Sequence, residues 1–338
     1  MTGRVVCFGE ILMRLSAPGR ELLLQTPRLD VHFGGAEANV AVSLARLGHD
    51  AAMVSTLPSG PLGDAALGEL RRHGVDTRAI RRRDGRMGVY YMASGALHRP
   101  SDIIYDRAES AFALDPDSHH DWHDLLAGAT WLHTSGITPA VSAAGADAAL
   151  RAVDAAVARG VAVSLDGNYR QKLWAARGVP AAPILARLAE RATLLFGNDR
   201  DVGLILGIDI PGRDAEERFA RAAEAAFAAF PRLRLMAATV RGHETVDRQE
   251  LSGLMADRER LYRTGTHALT GIVDRIGGGD AFAAGLLHGL LARLEPAETL
   301  DFAVAAACLK HSIPGDANLA GLADMRAFLA EEALDVRR

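Results

Sequence analysis

Short apolar runs with the character of buried strands alternate along most of this chain with helical stretches of ten or more residues. The apolar runs fall at residues 5–11, 51–56, 130–133, 161–165, 193–196 and 235–240. Between them lie stretches of helical period, among them 36–47, which Gly48 stops, 143–159 and 215–230. Strands joined by such crossovers run parallel, and a parallel sheet must be covered on both faces. The pattern therefore predicts a three-layer α/β/α core around a mostly parallel central sheet. At 338 residues, 49% of them hydrophobic, the chain can bury one large core and still carry a smaller appendage.

Two segments break the rhythm. Residues 12–33 and 87–107 contain short alternating runs with no helix between them, such as Gly88-Val89-Tyr90-Tyr91-Met92 and Ile103-Ile104-Tyr105. They read as antiparallel strands of a small sheet that projects as a lid. The core is then 1–11, 34–86 and 108–338, and the lid is 12–33 with 87–107. So small a sheet cannot cover both its faces, and Val89, Tyr91 and Ile103 are expected to form an exposed apolar patch. Two lids packed face to face would bury it, which predicts a homodimer or higher homo-oligomer.

A net charge of −4 leaves no global basic field for a nucleic-acid partner. Arg81-Arg82-Arg83 is expected in a solvated loop. Cys7 and Cys308 lie far apart in apolar settings and read as small buried hydrophobes of a reducing compartment. No basic leader with a long apolar segment opens the chain, and no run of about 18 apolar residues occurs, so no membrane partner and a cytoplasmic protein are expected. His119, His120 and His123 beside Trp122 lack the ordered spacing of a zinc site and read as an exposed loop and helix start.

The densest chemistry is Ile276-Gly277-Gly278-Gly279-Asp280, followed by an apolar, Ala-rich helical run. Glycines let a ligand approach the backbone closely, and a helix start offers unpaired N–H groups and positive dipole to an anion. A carboxylate placed in an anion site is out of place unless it takes a proton. A plain N-cap role for Asp280 is the structural alternative, and the rest of the chain has to decide. Three further motifs sit where strands run into loops: Gly34-Gly35-Ala36-Glu37-Ala38-Asn39, Asp166-Gly167-Asn168-Tyr169-Arg170 and Asn198-Asp199-Arg200-Asp201. That edge of a parallel sheet is where ligands bind. Lys172 and Lys310 are the only lysines, neither in a P-loop context, and no G-x-G-x-x-G follows the first strand. Phosphate, if handled, is handled by backbone amides and arginine.

Gly34 to Asn39 (G-G-x-x-x-N) and Asp274 to Asp280 (D-x-x-G-G-G-D) together resemble the two signatures of the ribokinase-like (PfkB) carbohydrate kinases, over essentially the whole chain. The resemblance implies a nine- or ten-stranded core, a β-sheet lid, ATP and Mg²⁺ as cofactors, and phosphoryl transfer to a sugar hydroxyl. It makes Asp280 the catalytic base and the amides of Gly277, Gly278 and Gly279 the anion hole. Arg275, Tyr105-Asp106-Arg107, His133-Thr134-Ser135-Gly136-Ile137 and Lys310-His311-Ser312-Ile313-Pro314-Gly315-Asp316 are closer to the 2-keto-3-deoxygluconate kinases within that family. By that likeness Gly34, Gly35, Asn39, Tyr90, Tyr105, Arg107, Ile137, Arg170 and Asp316 bind the sugar acid. Arg107 and Arg170 would hold its carboxylate by charge-assisted hydrogen bonds. Cross-strand packing is the alternative for Tyr90 and Tyr91, and a surface ion pair is the alternative for each arginine.

Asn198, Arg241, Gly242, Gly277 and Gly279 fall to the nucleotide on the same likeness. The sequence departs from the family where Asp201 replaces the usual Glu of N-x-x-E, leaving it a magnesium role through water. It departs again where Thr239-Val240-Arg241-Gly242-His243 replaces K-x-G-x-x-G. Adenine is expected near residues 265–272 and 305–312. The expected activity is phosphorylation of the 6-hydroxyl of 2-keto-3-deoxygluconate. A kinase of a neutral sugar such as fructose or ribose, or a sugar-binding regulator without chemistry, are the alternatives, and a nicotinamide oxidoreductase ranks last.

Overall fold

The structure, a computed structural model, describes residues 3–117 and 120–330. The first seven strands are β1 (Arg4–Phe8), β2 (Leu12–Ser16), β3 (Asp30–Gly34), β4 (Asp50–Pro58), β5 (Ile80–Arg83), β6 (Gly88–Ala93) and β7 (Asp102–Asp106). The next four are β8 (Ala129–Ser135), β9 (Ala162–Asp166), β10 (Leu194–Phe196) and β11 (Leu235–His243). Last come β12 (Arg248–Ala256), β13 (Leu261–Arg263) and β14 (His267–Thr270). Ten of them form one sheet in the order β13-β12-β11-β10-β9-β8-β1-β4-β5, with β14 also on β12. From β11 to β5 every pair is parallel. Only β12, β13 and β14 run antiparallel, folding back beyond β11.

Alternate side chains of the parallel strands feed two separate cores. Val6 and Phe8 pack with Leu132, Val163 and Leu165 under helix Ala143–Ala158. Val5 and Cys7 point the other way, to Met53, Leu194 and Leu286 of helix Gly278–Ala292. A strand buried on both faces reads as a continuous apolar run, which is why the parallel strands were visible in the sequence. Arg81 to Arg83 is not the loop expected of it. It forms edge strand β5 on β4, with Arg82 paired to Asp64 at 2.8 Å. Charged side chains suit an edge, where they discourage further pairing.

The small sheet exists, in the order β3-β2-β6-β7, but it is not wholly antiparallel. β2 and β6 pair parallel, while β3 and β7 close the edges antiparallel. The reason is topological: β2 and β6 each follow a core strand, β1 and β5, that runs in the same direction. The outer face carries the row Val31, Leu15, Tyr91 and Ile104, of which Val31 and Ile104 are half exposed (54% and 51%). Val89 is buried, and Ile103 packs inward with Leu12, Tyr90 and Met92, so Ile104 takes the place expected of Ile103.

Cys7 and Cys308 are free and buried. Among the described residues no helix is long and apolar enough to cross a membrane. His119 lies outside the described residues. His120 is half-buried against Trp122, not exposed, whereas His123 is exposed.

Candidate active site

The helix that follows the glycine run begins at Gly278, with Gly277 in the left-handed region at φ 80° as its N-cap. Glycine is required there, because a Cβ on Gly277 would collide with the carbonyl of Asp316. The first intrahelical bond runs from the Ala281 amide to the Gly277 carbonyl at 2.8 Å. The amides of Gly278, Gly279 and Asp280 therefore have no helical partner and stand free for an anion. Asp280 sits in that first turn, and its Oδ2 accepts from Asn39 Nδ2 at 2.6 Å. Asn39 comes from the other diglycine turn, where Gly35 at φ 143° lets helix Ala36–Arg46 start hard against the Glu10 carbonyl. The two glycine motifs, 241 residues apart, thus meet in one hydrogen bond.

Burial pushes the Asp280 carboxyl up to about 7, against the lowering effect of the Asn39 bond, and Glu37 pushes it the same way as burial. Asp166, at the end of β9, is raised to about 8 by burial and then by Asp280 and Asp201. Glu37 is also raised by burial, although Ser135 Oγ donates to it at 2.6 Å. Three carboxyls around one cavity cannot all ionise cheaply. All three line a cavity of about 630 Å³ between the core and the lid.

The lid closes that cavity with a network of its own. Buried Arg14 on β2 donates to Ser16 at 2.6 Å, Asp316 at 2.8 Å and Asp274 at 2.6 Å. Tyr90 on β6 donates its hydroxyl to the second oxygen of Asp316. Asp274 further accepts from the amides of Ile276 and Gly315, both at 3.0 Å. Tyr90 and Asp316 therefore satisfy one another at the cavity wall, instead of both presenting free polar groups. Arg107 is buried and gives Nε, at 2.8 Å, and Nη2 to Glu10. Its expected freedom is thus reduced to Nη1, with Tyr105 below its guanidinium at 5.9 Å.

Arg170, Lys172, Arg241 and Arg275 line the same cavity. No hydrogen bond or ion pair holds them among the described residues, and the Nε atoms of Arg241 and Arg275 are buried without a partner. Burial lowers the Arg241 pKa, and the neighbouring Arg275 and Arg170 charges lower it further. Unpaired cations crowded beside free amides form a site that wants an anion.

Most of the expected residues converge here: Asp280, Gly277, Gly278, Gly279, Gly35, Asn39, Tyr90, Tyr105, Arg107, Ile137, Arg170, Arg241 and Asp316 all face this cavity. Gly34 stands just behind it, where a Cβ would strike the Asp316 carboxylate. Asn198 does not line it. Its side chain accepts from the amides of Arg200 and Asp201 as an N-cap, and Asp201 returns the bond to the Asn198 amide at 2.9 Å. Asp201 therefore touches the cavity only through its field on Asp166. Gly242 lines a neighbouring groove with Glu244 and Thr270. Glu10, Glu37, Asp166, Lys172 and Arg275 line the cavity without having been singled out for it. Their signal was position, since each lies within a few residues of a strand end or a glycine turn.

A model of the pfkB family of carbohydrate kinases matches residues 2–320. The 2-dehydro-3-deoxygalactonokinase of Haloferax volcanii is 35% identical over 94% of this chain and 93% of its own. The 2-dehydro-3-deoxygluconokinase of Bacillus subtilis is 27% identical over 92% and 90%. The crystal structure of the 2-dehydro-3-deoxygluconokinase of Thermotoga maritima superposes with a TM-score of 0.91 at 37% identity, covering 97% of this chain and 99% of that one.

Proposed function

We propose that this chain, which belongs to the pfkB family of carbohydrate kinases, transfers the γ-phosphoryl group of ATP to the 6-hydroxyl of 2-keto-3-deoxygluconate. The carrying observation is the pairing in one cavity of a carboxyl raised to about 7, Asp280, with free helix amides at Gly278 and Gly279. A base poised near neutral pH takes the hydroxyl proton as the oxygen attacks, and the amides stabilise the charge on the transferring group. Chemistry of this kind rests on positioning, which the two glycine turns and the Asn39 bond provide.

The acid character of the acceptor is read from the cations. Arg107 offers Nη1 beside Tyr105, and Arg170 offers a guanidinium without a hydrogen bond or ion pair among the described residues, its charge felt by Asp166, Asp201 and Asp280. Both suit a carboxylate, which a neutral sugar lacks. The names of the three relatives above share a class, a 2-keto-3-deoxy acid, and divide between the galacto and gluco epimers, whereas a Klebsiella pneumoniae relative 31% identical over 91% of this chain is a fructokinase. Two unpaired buried cysteines suit a cytoplasmic setting.

Among the described residues no group of acids, histidines or cysteines could cage a metal ion. Magnesium would instead arrive on the nucleotide phosphates, with most of its ligands water and phosphate oxygen. Asp166, which lines the cavity, would face its water shell, and Asp201, bonded to the Asn198 amide, would act only through Asp166.

An acceptor panel tests the reading. The keto-deoxy acid should exceed fructose and ribose in kcat/KM by at least about 100-fold, since two charge-assisted contacts are each worth roughly 1.5–3 kcal/mol. Equal or better use of a neutral sugar sinks the sugar-acid assignment while leaving the kinase intact.

A further inference from the structure

We infer that Arg275 is the residue that grips the transferring phosphoryl group itself, a role separate from that of Arg241 on the nucleotide. The inference rests on the phosphoryl transfer proposed above. Arg275 is half-buried, lines the cavity beside the glycine turn, and has a buried Nε with no partner. No acid pairs with it among the described residues, so its charge is held in place without a protein counter-ion.

The backbone around it is unusually well tied. The amides of Val273 and Asp274 both donate to the His311 carbonyl, at 2.9 and 3.3 Å. The Asp274 carboxylate takes the amides of Ile276 and Gly315, and is itself clamped by Arg14 from the lid. A guanidinium carried on a tied backbone and left unpaired stands ready for a charge that appears only with the ligand.

Its place in the cavity says which charge. Arg241 stands at the end of β11, next to Gly242 of the neighbouring groove, and its Nη2 would lie 3.4 Å from a Cβ on Gly278. Arg275 also lines a small cleft with Met92, Ser94, Gly95 and Ser101 of the lid, and the next residue, Ile276, packs on Leu12, Tyr90 and Met92. Arg241 thus reaches the glycine turn from the Gly242 groove, taken as the donor side, and Arg275 from the lid, taken as the acceptor side, close enough for their charges to act on one another. Between donor and acceptor lies the γ-phosphoryl group. In the transfer, Asp280 takes the proton of the acceptor hydroxyl, whose oxygen forms a bond to the γ-phosphorus. The bond from that phosphorus to the β–γ bridging oxygen breaks, and its electron pair leaves with ADP. The Arg275 guanidinium binds the equatorial oxygens throughout.

Arg275→Ala should lower kcat by about 10²–10³-fold, the usual cost of one transition-state donor. The directly titrated Kd for a non-hydrolysable ATP analogue should change less than about threefold, and KM for the acceptor equally little. Arg275→Lys should recover part of kcat, since it keeps the charge and loses the fork. Arg241→Ala should show the opposite split, with nucleotide Kd raised about tenfold or more. Kinetics are measured with whichever acceptor the wild type uses best, so a wrong acceptor assignment leaves this test intact. If Arg275→Ala weakens nucleotide binding with kcat at saturation unchanged, or changes neither, the inference is overturned. Should the alanine variant fail to fold, the same split in Arg275→Lys and Arg275→Gln decides.

Discussion

Asp280→Asn separates what the carboxyl does for chemistry from what it costs the fold. The amide oxygen can still accept from Asn39, so the 2.6 Å link between the two glycine motifs survives. The base does not, and kcat should fall by about 10²–10⁴-fold with nucleotide Kd nearly unchanged. In the wild type the base must be ionised, and its pKa lies at about 7. The kcat/KM profile should therefore rise through about pH 7 and flatten above it, and the residual activity of the variant should lack that limb. Stability should move the other way. A carboxyl with its folded pKa above its unfolded one binds more protons when folded, so wild-type stability falls as pH rises from about 4 past 7. The rise from the ordinary Asp value to about 7 sets a ceiling on the order of 4 kcal/mol, reduced because Asp280 is partly exposed. Asn carries no such penalty. Calorimetry should find Asp280→Asn raising Tm at pH 8 and leaving it unchanged at pH 4. A kcat loss under about tenfold refutes the base, and an absent Tm gain at pH 8 refutes the burial argument.

Arg107 and Arg170 call for different probes. Arg107→Ala would strand Glu10, a buried carboxylate, at a cost of about 3–5 kcal/mol, so Arg107→Lys is the cleaner change and should raise KM for the sugar acid about tenfold. Arg170→Ala, at an exposed residue with no ion pair among the described residues, should raise it by about one to two orders of magnitude with KM for ATP steady; equal harm to a neutral acceptor would make both arginines structural. The lid row Val31, Leu15, Tyr91 and Ile104 should be covered by a second lid. Sedimentation should then give a dimer at micromolar protein that Ile104→Arg disrupts, and a strictly monomeric wild type ends the idea.

The parallel strands could be read from the sequence because burial on both faces leaves continuous apolar runs, as at residues 51–58. β5 and β12–β14 could not, because edge and antiparallel strands mix polar residues into the pattern: β5 is Ile-Arg-Arg-Arg. The parallel β2–β6 pair was invisible for another reason. Strand direction is set by which core strand precedes each lid strand, and no local pattern records that. At the site, Asn39 and Asp280 were legible because glycine turns punctuate the chain beside them. Asp166 and Glu37 lay inside recognised motifs, yet their raised pKa values come from burial and, for Asp166, from repulsion by neighbouring acids, which exist only once the chain is folded. Arg107 was placed in the cavity, but its bond to Glu10, 97 residues away, was not foreseeable from spacing.

Charge disposal then explains how one acid among several becomes the base. Glu10 is neutralised by Arg107, and Asp274 and Asp316 share Arg14. Asp166, at about 8, is mostly protonated at neutral pH, and Glu37 is displaced in the same direction. What remains is Asp280, held near 7 and able to change state within the working range. Environments that drive neighbouring titratable groups apart in this way assign the acid and base roles. The cations sort likewise. Arg14 is spent inside the protein, and Arg107 in all but its Nη1, and both hold the lid in place, whereas Arg170, Arg241 and Arg275 make no ion pair among the described residues. Beside three free amides the fold leaves one carboxyl that can take a proton and three guanidiniums, those of Arg170, Arg241 and Arg275, for a phosphoryl group, the hydroxyl that receives it and the acid group of the acceptor.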